Sequence, residues 1–565
     1  MTASERIESN YHLWLNKADE ATRAELNALK DQAKEIEDRF YRDLEFGTGG
    51  MRGLIGAGTN RMNLYTVGRA SQGLAQYLLK DNSKTHSVAI AYDSRNQSPE
   101  FSLEAALVLA ANGITAHVFD TLRPTPELSY AVRELGCSAG IVVTASHNPP
   151  EYNGYKVYGP DGGQMVSDAA NAVIGEIDSL DMFSSVNRTT RNEAEAAGLL
   201  QWHGEDIDRK YMDALTAVSP NPEIAREMSG NVKIVFTPLH GAGNLSVRRV
   251  LKEIGFNQVY VVPEQEQPDV LFSTVKSPNP EEKAAFTLAV QLGKQVDADI
   301  IIGTDPDCDR MGAVVRDTKG EYNVLSGNQS GAIMVNYLLS SLQERDAIPA
   351  DAVVIKTIVT SEMGAEIARS FGVEVIDTLT GFKYIGERMT EFDKTGEHTF
   401  LFGYEESYGY LAGNYARDKD AVIASMLICE AAAYYKKQGK TLYDVLIELY
   451  EKHGYFMERL ESRTLKGLEG LNKIRRIMDD WRAHPPVELN GVVVREVLDY
   501  SLGIQGLPRE NVLKYVLADG SWFTLRPSGT EPKIKVYFAV KGASVQESTE
   551  MLDAMTKVVM ARVDG

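Results

Sequence analysis

Three aspartates stand at alternate positions in one short loop. Asp305, Asp307 and Asp309 follow the apolar run ADIIIG, which is typical of a buried strand. Carboxylates this close repel one another unless a cation lies between them, and hard oxygen ligands suit Mg²⁺. The loop lacks the glycine position and closing glutamate of an EF-hand. We therefore predict a divalent-cation site; the alternatives are a solvated acidic turn and the aspartate nucleophile of a haloacid-type phosphatase.

A second polar loop lies in VVTASHNPPEYNGYK, from Val142 to Lys156. It also follows a strand-like run, and ligands of open α/β sheets bind beyond the carboxyl ends of strands. Its serine, Ser146, is either a nucleophile or an ordinary turn residue. The position alone leaves both interpretations open.

Two further loops have the composition of ligand sites. RPSGTEPKIK combines an arginine with small hydroxyl residues, a glycine and lysines. This composition suits a phosphate-binding loop, because small residues let backbone N–H groups approach the phosphate and arginine binds phosphate through two donors. It does not have the spacing of a Walker loop. GYEESYG offers Glu405 and Ser407 to sugar hydroxyls. The residues of the phosphate loop are Arg526, Ser528, Gly529, Thr530, Lys533 and Lys535.

Two glycine-containing motifs resemble known sites superficially. The segment 136–140 fits the GxSxG pattern of hydrolases, but it follows a helix and precedes a strand, the reverse of a nucleophile elbow. FGTGGMRGLIGAG lacks both the preceding strand and the spacing of a dinucleotide loop. We interpret the first as a chance match and the second as a candidate active-site loop that carries Arg52.

The elements that must position these loops alternate between strand-like and helical runs from residue 87 onward, and the pattern recurs from residues 232 and 351. Such alternation predicts α/β units. The last hundred or so residues predict hairpins instead, with Asp519-Gly520 as a turn. The predicted fold is α/β: one amphipathic N-terminal helix, three similar mixed α/β domains in tandem and a smaller α+β domain, around one central cleft. We place the domains at 1–205, 206–322, 323–454 and 455–565.

Composition excludes several classes of protein. The formal net charge of −20 argues against broad affinity for nucleic acid or anionic membranes, which need a basic face. No signal-peptide pattern or long apolar run occurs, so we expect a cytoplasmic protein. Cys137, Cys308 and Cys429 lack metal-ligand spacing and are expected to be reduced, mostly buried thiols.

Taken together, TASHNP, GTDPDCDRMG, EESYG and RPSGTEP occur in an order that resembles the α-D-phosphohexomutase family. The most similar branch is that of the phosphoglucomutases with an N-terminal extension, and the resemblance covers nearly the whole chain. It implies an isomerase that transfers a phosphoryl group within a sugar phosphate. Two positions depart from many relatives: Tyr404 replaces a glycine, and Lys535 replaces an arginine, whose fork geometry lysine lacks.

The resemblance also implies roles for individual residues. Ser146 would be phosphorylated and would share one Mg²⁺ with Asp305, Asp307 and Asp309, while Arg52 would belong to the catalytic loop. Either His147 or Lys156 would be the acid/base group. The residues implied to bind substrate are Arg310, Thr380, Gly381, Glu405, Ser407, Lys419, Arg526, Ser528, Gly529, Thr530 and Lys535.

The expected reaction interconverts glucose 1-phosphate and glucose 6-phosphate, with glucose 1,6-bisphosphate as primer and intermediate. Mannose or pentose phosphates and synthesis of the bisphosphate itself are alternatives within the family. A sugar phosphatase and a non-catalytic sugar-phosphate binding protein are alternatives outside it. We expect small sugar phosphates as partners, no nucleic acid or membrane, and a monomer or small homo-oligomer.

Overall fold

A computed structural model of the protein describes residues 3–47, 50–465, 467–528 and 532–565. Its strands form four sheets. The first three combine parallel and antiparallel pairs with flanking helices, whereas every pair in the fourth is antiparallel. The predicted α/β class, with three mixed units and a smaller fourth one, is confirmed.

The N-terminal segment forms three helices rather than the single amphipathic helix that its apolar spacing predicted. The backbone of Gln32 is not helical, so the chain turns there. A first break lies at Asp19, whose backbone is extended. The two breaks together let Trp14, Leu26 and Phe40 meet in one buried cluster, which a straight helix could not achieve. The helices are α1 (Ala3–Lys17), α2 (Glu20–Ala28) and α3 (Ala33–Phe40).

The first sheet has seven strands in the order β1-β2-β6-β5-β3-β4-β7. Buried apolar side chains of β3 and β5 form its centre. The strands are β1 (Phe46–Gly47), β2 (Gly50–Leu54), β3 (Ser87–Tyr92), β4 (Thr115–Phe119), β5 (Ala139–Val143), β6 (Tyr152–Tyr158) and β7 (Leu200–His203). Its helices are α4 (Leu64–Leu79), α5 (Ser98–Ala111), α6 (Thr125–Glu134), α7 (Ser167–Asp178) and α8 (Arg191–Ala196).

The second sheet has five strands in the order β12-β11-β10-β8-β9. They are β8 (Ile234–Thr237), β9 (Val259–Val261), β10 (Ile300–Thr304), β11 (Met311–Arg316) and β12 (Tyr322–Val324). The helices around it are α9 (Glu205–Ala217), α10 (Ile224–Glu227), α11 (Gly243–Ile254), α12 (Pro263–Glu266), α13 (Thr287–Val296) and a 3₁₀ turn at Lys283–Phe286.

The third sheet has four strands in the order β14-β13-β15-β16 and shares one continuous hydrophobic core with the second. Its strands are β13 (Ala352–Thr357), β14 (Glu374–Thr378), β15 (Thr399–Tyr404) and β16 (Tyr410–Ala412). Its helices are α14 (Gly327–Glu344), α15 (Glu362–Ser370), α16 (Phe382–Thr395), α17 (Ala421–Lys437) and α18 (Leu442–His453).

The fourth sheet has six strands in the order β17-β22-β21-β20-β19-β18. An apolar cluster that includes Ile358 and Trp522 joins it to the third unit. The strands are β17 (Tyr455–Thr464), β18 (Glu488–Leu489), β19 (Val492–Asp499), β20 (Leu513–Leu517), β21 (Trp522–Pro527) and β22 (Lys533–Gly542). The helices are α19 (Gly467–Ala483), α20 (Val545–Asp564) and 3₁₀ turns at Tyr500–Leu502 and Ile504–Gly506.

The four polar loops share one structural position. Each connects two consecutive antiparallel strands, so each is the tip of a hairpin. In the first three units the first strand of that hairpin also pairs in parallel with the rest of the sheet. The loops of the first three units therefore lie at the carboxyl ends of parallel strands, where open α/β sheets bind ligands. The described residues contain no helix that is long and apolar enough to cross a bilayer.

Candidate active site

Ser146 sits in the hairpin between β5 and β6 with an unusual backbone conformation. Its side chain is buried, and its φ is 51°, a region that non-glycine residues seldom adopt. Its N–H donates to Oγ1 of Thr144 at 2.8 Å, and the Thr144 hydroxyl donates to Asp93 at 2.6 Å. These bonds hold the loop in a conformation that would otherwise be unfavourable.

Arg95 organises the same loop from inside the protein. Its guanidinium is buried and stacks over the Phe272 ring at 5.1 Å. Its N–H groups donate at 2.5 to 3.0 Å to the backbone carbonyls of Ser146, Asn148, Pro149 and Tyr152. The sequence analysis missed this arginine; the available signal was its place just after β3, at the same sheet edge as the serine loop.

The three predicted metal ligands converge. Oxygens of Asp305, Asp307 and Asp309 lie within 4.8 Å of one another, and all three residues are buried. Ser146 Oγ donates to Oδ2 of Asp305 at 2.8 Å. Among the described residues, Oδ1 of Asp307 and of Asp309 are buried without a hydrogen-bond partner. Burial and the neighbouring carboxylates raise the pKa of Asp305 well above its usual value. Unpaired buried oxygens of this kind fit a hard divalent cation.

Two lysines approach the aspartates from different units. Lys156 Nζ lies 2.9 Å from Oδ2 of Asp307, and Lys419 Nζ lies 2.8 Å from Oδ2 of Asp309. Burial disfavours the charge of Lys156, but the carboxylates outweigh it and raise its pKa. Lys419, which the resemblance assigned to substrate binding, thus contacts the metal loop directly.

His147 and Arg52 lie at the edge of the serine loop. His147 Nδ1 is 3.2 Å from Ser146 Oγ, and burial, followed by the nearby Arg310 and Arg52, lowers its pKa well below the usual value. Arg52, on β2, is exposed and donates to Oδ1 of Asn148 at 3.0 Å. Both side chains therefore contact the loop that carries the candidate nucleophile.

The loop that follows β14 and the hairpin between β15 and β16 bring the predicted sugar-binding residues together. Gly381 has a φ of 122°, which favours glycine, and its N–H donates to Oε1 of the buried Glu405 at 2.9 Å. Arg310 donates to the carbonyl of Ser407 at 3.1 Å and pairs with Glu281, another residue that the sequence analysis missed. The hydroxyl of Thr380 is buried without a partner among the described residues.

Two features of this hairpin were not predicted. Glu406 is held by the hydroxyls of Thr357 and Thr360, both at 3.4 Å, and burial followed by Glu405 raises its pKa to about 7. Tyr404, one of the two departures from relatives, is fully buried beside Gly331 and Gly364. Its ring therefore belongs to the core of the third unit and does not line the cleft.

The phosphate loop joins β21 to β22. Arg526 and Lys535 are cross-strand partners in this hairpin. The Ser528 N–H donates a hydrogen bond to the Lys533 carbonyl at 2.7 Å. Burial, followed by the charge of Arg526, lowers the pKa of Lys535. Gly529 and Thr530 lie outside the described residues.

The GxSxG match lies at the opposite end of β5 from Ser146. Ser138 there is hydrogen-bonded to His86 Nδ1 at 2.9 Å, and no acid completes a triad among the described residues around them. All three cysteines are buried free thiols, as predicted.

Phosphoryl transfer requires a positioned oxygen nucleophile and compensation of phosphate charge. The buried serine, the adjoining carboxylates and the surrounding lysines and arginines supply both. Fold and site together thus define a phosphotransfer enzyme.

Comparisons with known proteins identify its family. Models of the phosphoglucomutase/phosphomannomutase family match in order: α/β/α domain I at 43–183, domain II at 209–320, domain III at 326–453 and the C-terminal domain at 469–557. The chain belongs to this family and is a phosphohexomutase, an enzyme of the isomerase class. The resemblance drawn from the four motifs is confirmed.

Curated relatives cover almost the whole chain. The phosphoglucomutase of Staphylococcus haemolyticus is 39% identical over 89% of this chain and 91% of its own. The phosphoglucomutase of Staphylococcus aureus is 38% identical over 96% of this chain and 98% of its own.

Solved structures share the fold. Parafusin, a phosphoglucomutase from Paramecium in an open form, has a TM-score of 0.71 at 17% identity and covers 93% of this chain and 95% of its own. A putative phosphomannomutase from Thermus thermophilus has a TM-score of 0.69 at 22% identity, covering 93% and 100%.

Proposed function

We propose that the protein interconverts glucose 1-phosphate and glucose 6-phosphate through a phosphoserine at Ser146 and a glucose 1,6-bisphosphate intermediate. The observation that carries this proposal is the 2.8 Å contact between Ser146 Oγ and Asp305 Oδ2 in a buried triad of carboxylates. The names of the relatives at 38% and 39% identity support glucose as the sugar.

The reaction begins with a phosphoryl group on Ser146. A free hydroxyl of the bound sugar monophosphate attacks phosphorus, the bond from phosphorus to Ser146 Oγ breaks, and a new sugar phosphate ester forms. The hydroxyl proton passes to a base, for which the candidates are His147, beside Ser146 Oγ, and Lys156, beside Asp307. Ser146 Oγ regains a proton as the bisphosphate forms.

Residues of the triad would hold one Mg²⁺ together with a phosphate oxygen on Ser146. The cation would neutralise charge on the phosphoryl group during transfer. Arg52, Lys156 and Lys419 add positive charge around the same point, which suits a transition state whose charge is spread over several oxygens.

The second half of the reaction needs the intermediate to reverse its orientation. The phosphate that is not reacting would bind Arg526, Ser528, Gly529, Thr530 and Lys535, and the sugar would contact Arg310, Thr380, Gly381, Glu405 and Ser407. After reversal, the other phosphoryl group returns to Ser146 and the isomeric monophosphate leaves. Glucose 1,6-bisphosphate would also serve as the primer that first phosphorylates the serine.

The division of the chain follows the same proposal. We assign 1–205 to the phosphoserine loop, 206–322 to the metal loop, 323–454 to sugar recognition and 455–565 to the distal phosphate. A cytoplasmic location, expected from composition, and a monomeric or small homo-oligomeric state complete the proposal.

A turnover panel tests the function. Purified enzyme with Mg²⁺ and trace bisphosphate is offered glucose, mannose and pentose 1-phosphates, and both isomer and inorganic phosphate are measured. We expect isomerisation, fastest for glucose, which Ser146→Ala abolishes and Ser138→Ala, at the other end of β5, retains. Continuous release of inorganic phosphate would indicate a phosphatase, and full turnover by Ser146→Ala would contradict the proposal.

A further inference from the structure

The two carboxylate oxygens of Asp307 have different surroundings. Oδ2 accepts a hydrogen bond from the Thr125 hydroxyl at 2.9 Å and lies 2.9 Å from Nζ of Lys156. Oδ1 is buried and has no hydrogen-bond partner among the described residues. One oxygen of this carboxylate is therefore held by the protein, while the other is left for a cation.

Thr125 contacts Asp307 at two points. Besides the bond from its hydroxyl, its N–H donates to the backbone carbonyl of Asp307 at 2.9 Å. Thr125 begins α6, and the first N–H groups of a helix have no partner within the helix. Both residues are fully buried. The two bonds thus fix the main chain and the carboxylate of Asp307 relative to α6.

The start of α6 is itself anchored. Nε and Nη2 of Arg123 donate to the two carboxylate oxygens of Asp208, on α9, at 2.8 and 2.9 Å. Both side chains are largely buried, and a two-point pair of this kind has a defined geometry. The N–H of Arg123 also donates to the carbonyl of Tyr92, at the end of β3, at 3.1 Å. These contacts give Thr125 a fixed support.

A hydrogen bond to one oxygen of a carboxylate restricts the rotation that would turn the other oxygen away from a metal ion. Outer partners of this kind raise the affinity of the ligand for the metal. Lys156 also lies beside Oδ2, but its ammonium is carried by a flexible four-carbon chain. The Thr125 hydroxyl is carried by a short β-branched side chain with few rotamers, so it defines the orientation of Asp307 more closely.

We propose that Thr125 is a positioning residue for the cation, because its hydroxyl orients the Asp307 carboxylate and leaves Oδ1 available to Mg²⁺. The inference rests on the proposed function. It adds a residue of the first unit to a cation site whose three aspartates belong to the second. Affinity for the cation then depends on the contact between α6 and the metal loop.

Two substitutions at this position separate the hydroxyl from packing. Thr125→Val keeps the shape and the backbone N–H but loses the donor, whereas Thr125→Ser keeps the donor. After bound metal is removed with EDTA and the chelator is removed, calorimetry measures Kd for Mg²⁺. Thr125→Val should weaken Mg²⁺ binding by about tenfold, because the ligating carboxylate loses an outer partner. Thr125→Ser should bind Mg²⁺ nearly as tightly as the unsubstituted protein, because serine offers the same O–H donor.

Thr524→Val is the matched control. It removes a buried hydroxyl on β21 for which the described part of the chain provides no hydrogen-bond partner, so Kd for Mg²⁺ should not change. Intact-mass measurement verifies that the proteins compared carry the same amount of phosphate. Thermal unfolding without metal verifies that each variant folds.

Unchanged Mg²⁺ affinity in a folded Thr125→Val protein would overturn the inference. Equal losses of affinity in Thr125→Val and Thr125→Ser would also overturn it, since the hydroxyl would then not be the group that matters, as would failure of the unsubstituted protein to bind Mg²⁺. Absence of sugar isomerisation by the unsubstituted enzyme would refute the proposed function instead, while the Mg²⁺ titration would still decide the role of Thr125.

Discussion

The hydroxyl of Ser146 lies 2.8 Å from a carboxylate oxygen of Asp305, although 159 residues separate them in the chain. Ser146 belongs to a hairpin of the first sheet and Asp305 to a hairpin of the second. The contact therefore depends on how the two units pack. Thr125, on α6, reinforces it by donating its hydroxyl to Oδ2 of Asp307 at 2.9 Å.

Removing the divalent cation should abolish activity. Without a cation, the three buried carboxylates would repel the negatively charged phosphoryl group. Treatment with EDTA should therefore lower kcat by at least about a hundredfold. Added Mg²⁺ should restore kcat and raise the apparent melting temperature, but it should do neither in Asp307→Asn. Full activity after exhaustive chelation would contradict the assignment of the triad.

Arg95 should be a positioning residue for the serine loop. Arg95→Lys keeps the charge but cannot serve all the carbonyls that the guanidinium reaches. We expect kcat to fall by about a hundredfold with little change in KM, and stability to fall by roughly 3 kcal/mol. The exposed Arg209→Lys is the control. If Arg95→Lys and Arg209→Lys changed kcat and stability equally, Arg95 would have no special role in positioning the serine loop.

Glu430 should make stability depend on pH. It is buried on α17 and accepts hydrogen bonds from Ser219 and Tyr337. Burial raises its pKa to about 8, although these hydrogen bonds and the charge of Arg345 act in the opposite direction. The folded state therefore keeps a proton that the unfolded chain loses near the ordinary glutamate pKa of 4.5. Stability is greatest below that pH and declines as pH rises through about 8.

Glu430→Gln removes this titration. Relative to the variant, the unsubstituted protein should lose roughly 4 kcal/mol of stability between pH 5 and pH 9, measured as the shift in apparent unfolding midpoint in urea. The exposed Glu448→Gln should leave the pH profile unchanged. Parallel pH profiles for the unsubstituted protein and Glu430→Gln would disprove the prediction.

The N-terminal helices should depend on one tryptophan. Trp14 is 1% exposed and packs edge-on against Phe40, Tyr65 and Phe183. Trp14→Ala should cost about 3 to 5 kcal/mol, seen as faster hydrogen exchange in α1 to α3. The neighbouring Leu13→Ala, at an exposed position, should change exchange little. If hydrogen-exchange protection of α1 to α3 were unchanged in Trp14→Ala, contacts other than those of Trp14 would stabilise these helices.

Short motifs indicated which loops come together, but they did not indicate the hairpins that present those loops. Alternating strands and helices indicated α/β units, but hairpins after β5, β10 and β15 depend on antiparallel pairing that hydrophobic periodicity does not encode. The N-terminal turn at Gln32 was missed for a related reason, since apolar residues continue at helical spacing across it.

Residues without a motif were found only through three-dimensional contacts. Arg95 and Glu281 are ordinary charged residues in the sequence, and their partners come from other segments of the chain. By contrast, Ser146 and the aspartates stand in loops whose composition is unusual on its own. The loops that meet in the cleft were therefore predictable, whereas the residues that orient them were not.

The covalent state of Ser146 provides the most direct test of the whole account. Enzyme incubated with glucose 1,6-bisphosphate and Mg²⁺ is digested and its peptides are analysed by mass spectrometry, before and after addition of glucose 6-phosphate. We predict one phosphoryl group per chain, located on Ser146 and discharged to the sugar. An unmodified Ser146 peptide in enzyme that is turning over substrate would contradict the account.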